Sequence, residues 1–260
     1  MNSIFEKFED AFNLNSRANK ISHIRSISEI DFNIFGNAVR KIEDDFNIEI
    51  NKAESKSTRL SSGISNYVMD NNSIPTEKDL EIFDELHDHF IDQHICTEYL
   101  TALSEMKIVY MFKTLEINMK TLIKTAYPNV NIKSFYKWEN MDSFFNSNSI
   151  KVSDIQGYQE AIDLKKVNNC IKHTELISDD VKKISEFTSL DYFDSSSITT
   201  FHDRIKERIM SFFKELTNLV VQDLFDFNQK RIVKLSDDYS YRMDNETLKM
   251  FVESLKSRIK

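Results

Sequence analysis

The sequence predicts an all-α helical bundle, on three counts. Three Gly and two Pro in 260 residues are far below the usual usage of about 7% and 5%. Sheets and long loops need these residues for turns and bulges, whereas helix interiors exclude them. Hydrophobic residues form 40% of the chain and include 20 Phe, enough for a packed core at this length. Apolar positions also recur every three or four residues, the period of a helix with one buried side.

The elements follow in order. Phe5, Phe8 and Phe12 predict a short opening helix, and Asn13 to Ile27 reads as a polar connection. Ile34, Val39, Ile42, Phe46 and Ile50 predict a longer helix from Ile30 to about Ala53. A short helix near Leu60 to Met69 should precede a break at "DNNSIP". Thr76 followed by Asp79 resembles a capping box that opens a new helix. That helix runs through "LEIFDELHDHFIDQHI", and a second is expected from about Thr97 to Thr125, stopped by Pro128. "SFYKWENMDSFF", with the single Trp138, is a short aromatic helix. "DIQGYQEAIDLKKVNNCIKH" is the next helix, followed by a short one near Asp179 to Phe187. A long helix from about Ile198 to Phe227 and a final one from about Asn245 to Arg258 complete the chain. The break at Asp70 to Pro75 divides it into an N-terminal helical extension, 1–72, and a bundle, 73–260. Long helices joined by short loops read as such a bundle.

A net charge of −8 argues against a uniformly basic nucleic-acid surface. Cys96 and Cys170 lie in helix-like segments without CxxC spacing, which suits small buried hydrophobes in a reducing compartment. "MNSIFEKFEDAF" is acidic and amphipathic, unlike a signal peptide. No apolar run approaches the roughly 18 residues of a membrane span. A cytoplasmic protein is expected.

The stretch "DLKKVNNCIKHTE" carries the candidate chemistry. On a helical wheel Glu160, Leu164, Val167 and Ile171 cluster within about 60°, and the last three form a core seam. Ile162, Lys166, Asn169 and His173 gather on the opposite side, also within about 60°. A helix whose core side is already supplied thus presents a second side with a cation, an amide and an imidazole. Such a side calls for a partner surface or a substrate.

"VNNCIKH" after its Gly-Tyr-containing lead-in resembles the motif helix of the HEPN superfamily, helical-bundle domains of toxins, abortive-infection proteins and RNA-processing nucleases. Asn169 matches the motif's polar position and His173 its histidine. Asn168 stands where the family most often has Arg. Lys166 or Lys172 could supply a cation, without the planar fork of arginine. The resemblance implies a HEPN-type bundle and a homodimer in which two motif helices and two histidines face one cleft. It also implies an endoribonuclease that needs neither metal nor cofactor. A histidine can take the ribose 2′-OH proton or protonate the leaving oxygen, and a nearby cation stabilises the developing phosphorane charge. Under this reading His173 is the acid/base, Asn169 an orienter and Lys166 the surrogate cation, in a defence or toxin–antitoxin system. The alternative is a non-catalytic HEPN-like scaffold that dimerises and binds RNA or a partner protein.

Other candidates are weaker. His87, His94 and Asp84 share a helix side in "FDELHDHFIDQH", as metal ligands could, but no HExxH or paired ExxH accompanies them. Helix sides rich in Asp, Glu and His are usually solvated. Cys170 and His173 point different ways. Gly36, Gly63 and Gly157 are too isolated for a phosphate-binding loop. Arg204, Lys206, Arg208, Lys230 and Arg231 could line an RNA path, although the interleaved Asp203 and Glu207 favour a salt-bridged surface.

Overall fold

The computed structural model describes residues 16–64 and 77–259, and among them every regular element is helical, with no strand. The helix expected around Phe5, Phe8 and Phe12, the break at Asp70 to Pro75 and the capping residue Thr76 lie outside the described residues. The helices are α1 (Arg17–Ser26), α2 (Ile34–Ile64), α3 (Glu77–Ala126), α4 (Trp138–Ser147), α5 (Tyr158–His173), α6 (Ser195–Phe225), α7 (Gln229–Arg242) and α8 (Asn245–Lys256).

Several expectations are corrected. The stretch read as a polar connection contains α1, whose N-cap Ser16 accepts from the Asn19 backbone N–H and whose buried Ile24 continues to the buried Ile27 of the following 3₁₀ turn. Too few apolar residues lie within α1 itself to show a period. Helix α2 runs well beyond Ala53. The hydroxyls of Ser55 and Thr58 bond back to the carbonyls of Asn51 and Glu54, so this polar stretch satisfies itself in helical form. The two helices expected either side of Thr97 are one 50-residue helix, α3. The expected helix near Asp179 to Phe187 is a series of turns ending in a 3₁₀ turn, Ser185–Phe187. It is pinned by the Ile177 N–H to the Asp191 carbonyl and anchored by buried Ile177, Val181, Ile184 and Phe187. Helix α7, which was not expected, is capped by Asn228 accepting from Arg231 N–H.

Helices α2 and α3 are antiparallel, as Phe35 stacks on Tyr110, Glu43 pairs with Lys107 and Phe46 meets Tyr99. Val39, Ala53, Leu86 and Leu100 are buried outside the main core cluster, and form the seam of this hairpin. The C-terminal half of α3 is the axis of the bundle. Ile108, Leu115, Met119, Leu122 and Ile123 are fully buried there, and they pack with α4, α5 and α6. Helix α6 runs parallel to α3, since Ser104 meets Thr199 and Tyr127 meets Asp223. Ile24, Ile27 and Phe32, all within 1–72, belong to the same core cluster. Helices α7 and α8 lie outside it, have no buried residue, and meet through the Tyr239–Phe251 stack. No helix among the described residues is long and apolar enough to cross a membrane.

Candidate functional site

Helix α5 is placed by its first residue. Gly157, the N-cap, has φ 92°, a left-handed conformation that favours glycine. A Cβ there would lie 2.5 Å from the carbonyl oxygen of Arg208 and 3.0 Å from Phe212 Cβ, so only glycine lets the two backbones come this close. Tyr158 then donates its hydroxyl to Asp142 Oδ2 at 2.7 Å, and Trp138 Nε1–H donates to the same oxygen at 3.0 Å. Burial, outweighing both hydrogen bonds, pushes the Asp142 carboxyl above its ordinary range. Burial and the neighbouring carboxylate push Tyr158 up to about 12. Lys165 pairs with Glu139 of α4. The sequence reading did not single out this network, although Trp138 and Asp142 share one turn of "WENMD".

The inner row of α5 consists of the buried Ala161, Leu164, Val167, Asn168 and Cys170. Ile171 is only half-buried at the edge of the core. Cys170 is held among Thr174 Oγ1, the Leu176 carbonyl and the Ser178 backbone N–H, while His173 is exposed. The thiol and the imidazole therefore belong to opposite environments.

The outer row comprises Ile162 and Lys166, half-buried, and Asn169 and His173, exposed. The structure thus brings Lys166, Asn169 and His173 onto one solvent-facing side. Lys166 Nζ lies 4.0 Å from Asp163 Oδ1 within the helix, a loose pairing that leaves the ammonium available to an anion. Asn168 is 1% exposed. Its amide Nδ2 donates to Asn169 Oδ1 at 3.1 Å, which leaves the Asn169 amide N–H groups as the donors on the outer row. The Asn168 Oδ1 has no hydrogen-bond partner among the described residues. Asn168 therefore points inward, and the cation of the outer row comes from Lys166 or from exposed Lys172.

His87 and His94 are exposed on α3, and no group of three or more His, Cys, Asp or Glu placed to hold a metal ion occurs among the described residues. Three of the five basic residues singled out on and after α6 are tied to carboxylates. Arg204 forks onto Glu186 through Nε and Nη2, Lys206 pairs with Asp203, and Arg231 lies 3.8 Å from Asp223. Arg208 and Lys230 are exposed. Fold and site together define an all-α bundle with a polar row on the outer side of one core helix. No family model matches the chain, and it has no match among curated proteins or solved structures.

Proposed function

We propose that this chain is a HEPN-like protein of a bacterial defence or toxin system that acts as a homodimer through the outer row of α5 and cleaves RNA without a metal. One observation carries the reading. Lys166, Asn169 and His173 share the accessible side of a helix whose opposite side packs into the core through Leu164 and Val167. A second copy facing the row would form a cleft with it that holds two imidazoles. One imidazole would accept the 2′-OH proton and the other would protonate the leaving 5′ oxygen. Lys166 would lie against the phosphorane charge, and the Asn169 amide would donate to a phosphate oxygen.

A second reading, a non-catalytic scaffold that dimerises and binds RNA or a partner protein, is favoured by Asn168. A buried amide stands where an exposed guanidinium would clamp the phosphate, and lysine does not reproduce that bidentate geometry. The two readings separate in one experiment. Purified protein and its His173→Ala variant are incubated with total RNA and a tRNA pool in EDTA. The enzyme reading expects cleavage by wild type and a loss of 10²-fold or more, roughly the contribution of one acid/base group, in the variant. No cleavage by either protein, with RNA binding retained by both, selects the scaffold.

A further inference from the structure

Independently of α5, the charge pattern of α3 points to a second self-recognition surface. Histidines aside, every charged residue from Glu81 to Glu105 is acidic, and from Lys107 to Lys124 all but Glu116 are basic. One column of α3 repeats at strict seven-residue spacing: Glu85, Asp92, Tyr99, Met106, Lys113 and Lys120. On a straight helix such a column drifts by about 20° per step, so these six residues lie within about 100° of one another on α3. Tyr99 and Met106 are 53% and 39% exposed, and Asp92 and Lys113 are exposed. Between α2 and α3, at the middle of the column, lies an apolar groove of about 370 Å³ lined by Ile42, Phe46, Tyr99, Ala102, Leu103 and Met106.

The column is its own complement. Turned about a twofold axis between Ala102 and Leu103, it sets Glu85 opposite Lys120, Asp92 opposite Lys113, and Tyr99 opposite Met106. Two acids meet two lysines at each end, and the two apolar grooves meet at the centre. A parallel arrangement would set like charges against each other at both ends of the column. Asp92 and Lys113 have no ion-pair partner among the described residues; Lys113 lies 5.4 Å from the centroid of the Tyr110 ring. Lys120 already pairs with Glu116 and Glu85 faces His89 at 4.0 Å, so the central pair carries the test. From residue 85 to residue 120 the strip is about 53 Å long.

We propose that the outer side of the α2–α3 hairpin is the docking surface for a second copy of this chain, joined antiparallel with Asp92 of one copy against Lys113 of the other. Self-association of the full chain is measured by sedimentation equilibrium for wild type, Asp92→Lys, Lys113→Glu and the double variant, with helix content checked by circular dichroism. Each single reversal, acting twice in the symmetric dimer, is expected to weaken this dimer about tenfold, and the double variant to recover to within about threefold of wild type. Both side chains are exposed, so the variants keep their fold. A wild type with no association, a dimer indifferent to both reversals, or a double variant weaker than either single one overturns the assignment. The α5 surface is probed separately by Ile162→Asp. Loss of all association in that variant, with none in Lys113→Glu, places the only dimer at α5 and also overturns the inference. Loss in Lys113→Glu alone supports the α3 surface and leaves the α5 proposal to its own nuclease test.

Discussion

The imidazole of His202 is 4% exposed, with Nδ1 3.6 Å from Asp203 Oδ1 and no hydrogen-bond partner for Nε2 among the described residues. Burial, with Lys107 adding to it, holds its pKa below the ordinary value against the opposing pull of Asp203. The unfolded chain therefore binds this proton more readily than the folded one. For a depressed folded pKa the neutral side chain contributes stability that is fully present above the unfolded value, about 6.5. That stability falls as pH drops below the unfolded value towards the folded one. Thermal melts at pH 7.5 and pH 5.5 are expected to show wild type losing more stability on acidification than His202→Gln. Equal losses would mean that this imidazole titrates in the fold as it does in the unfolded chain. The burial of His202 was legible, because Ile198, Ile205 and Ile209 mark the inner side of α6 and position 202 lies beside that row. Its neighbours in "HDRIKERIM" drew the reading towards surface charge instead. The inward side of Asn168 was legible in the same way. A motif match assigns a position a chemistry, whereas the wheel assigns it a side, and Leu164 and Val167 already placed residue 168 next to the core.

At the scale of elements, periodicity found the long helices and failed where the chain lacked apolar markers or continued without a stop. Ile34 to Ile50 marked α2 but could not reveal its polar end. No Gly or Pro interrupts the chain between Ile95 and Thr101, and the Thr97 and Thr101 hydroxyls bond back to the carbonyls of Gln93 and Thr97. The expected joint is therefore continuous helix. Proline distinguishes the two arrangements. At the first position of a helix it is tolerated, whereas inside α3 Thr97→Pro deletes the 97-to-93 hydrogen bond and clashes with the Gln93 carbonyl, a cost of about 3 kcal/mol. The expected outcome is a lower melting temperature and faster amide exchange in residues 93–101. An unchanged melt would restore the two-helix description. The two sides of α5 needed less: Leu164 and Val167 are buried, Lys166 is half-buried, and Asn169 and His173 are exposed, on the sides that the 100° wheel gave them.

At the scale of the whole molecule, residues 16–64 meet the bundle through side chains that enter its core. The Asp70 to Pro75 break suggested an extension ending near residue 72, because local composition reports turns and is blind to tertiary contacts. Phe32, from that extension, is 5% exposed and meets Phe213 of α6 edge-on, with ring centroids 5.6 Å apart. Ile24 and Ile27 enter the same core cluster, and Arg17 Nη2 donates to the Phe225 carbonyl at 2.8 Å. If these contacts make one cooperative unit, truncating Phe32 removes a ring from the common core. Phe32→Ala is then expected to lower the stability of the entire protein by about 3–5 kcal/mol, the usual cost of such a truncation, within a single unfolding transition. Urea unfolding followed by tryptophan fluorescence reads this directly, because Trp138 lies in the core beside Phe112, remote in sequence from Phe32. A shift of the Trp138 transition to lower urea with unchanged slope is the cooperative outcome. A transition that stays in place, while circular dichroism loses a separate early phase, would make the first part of the chain an appendage that folds on its own account.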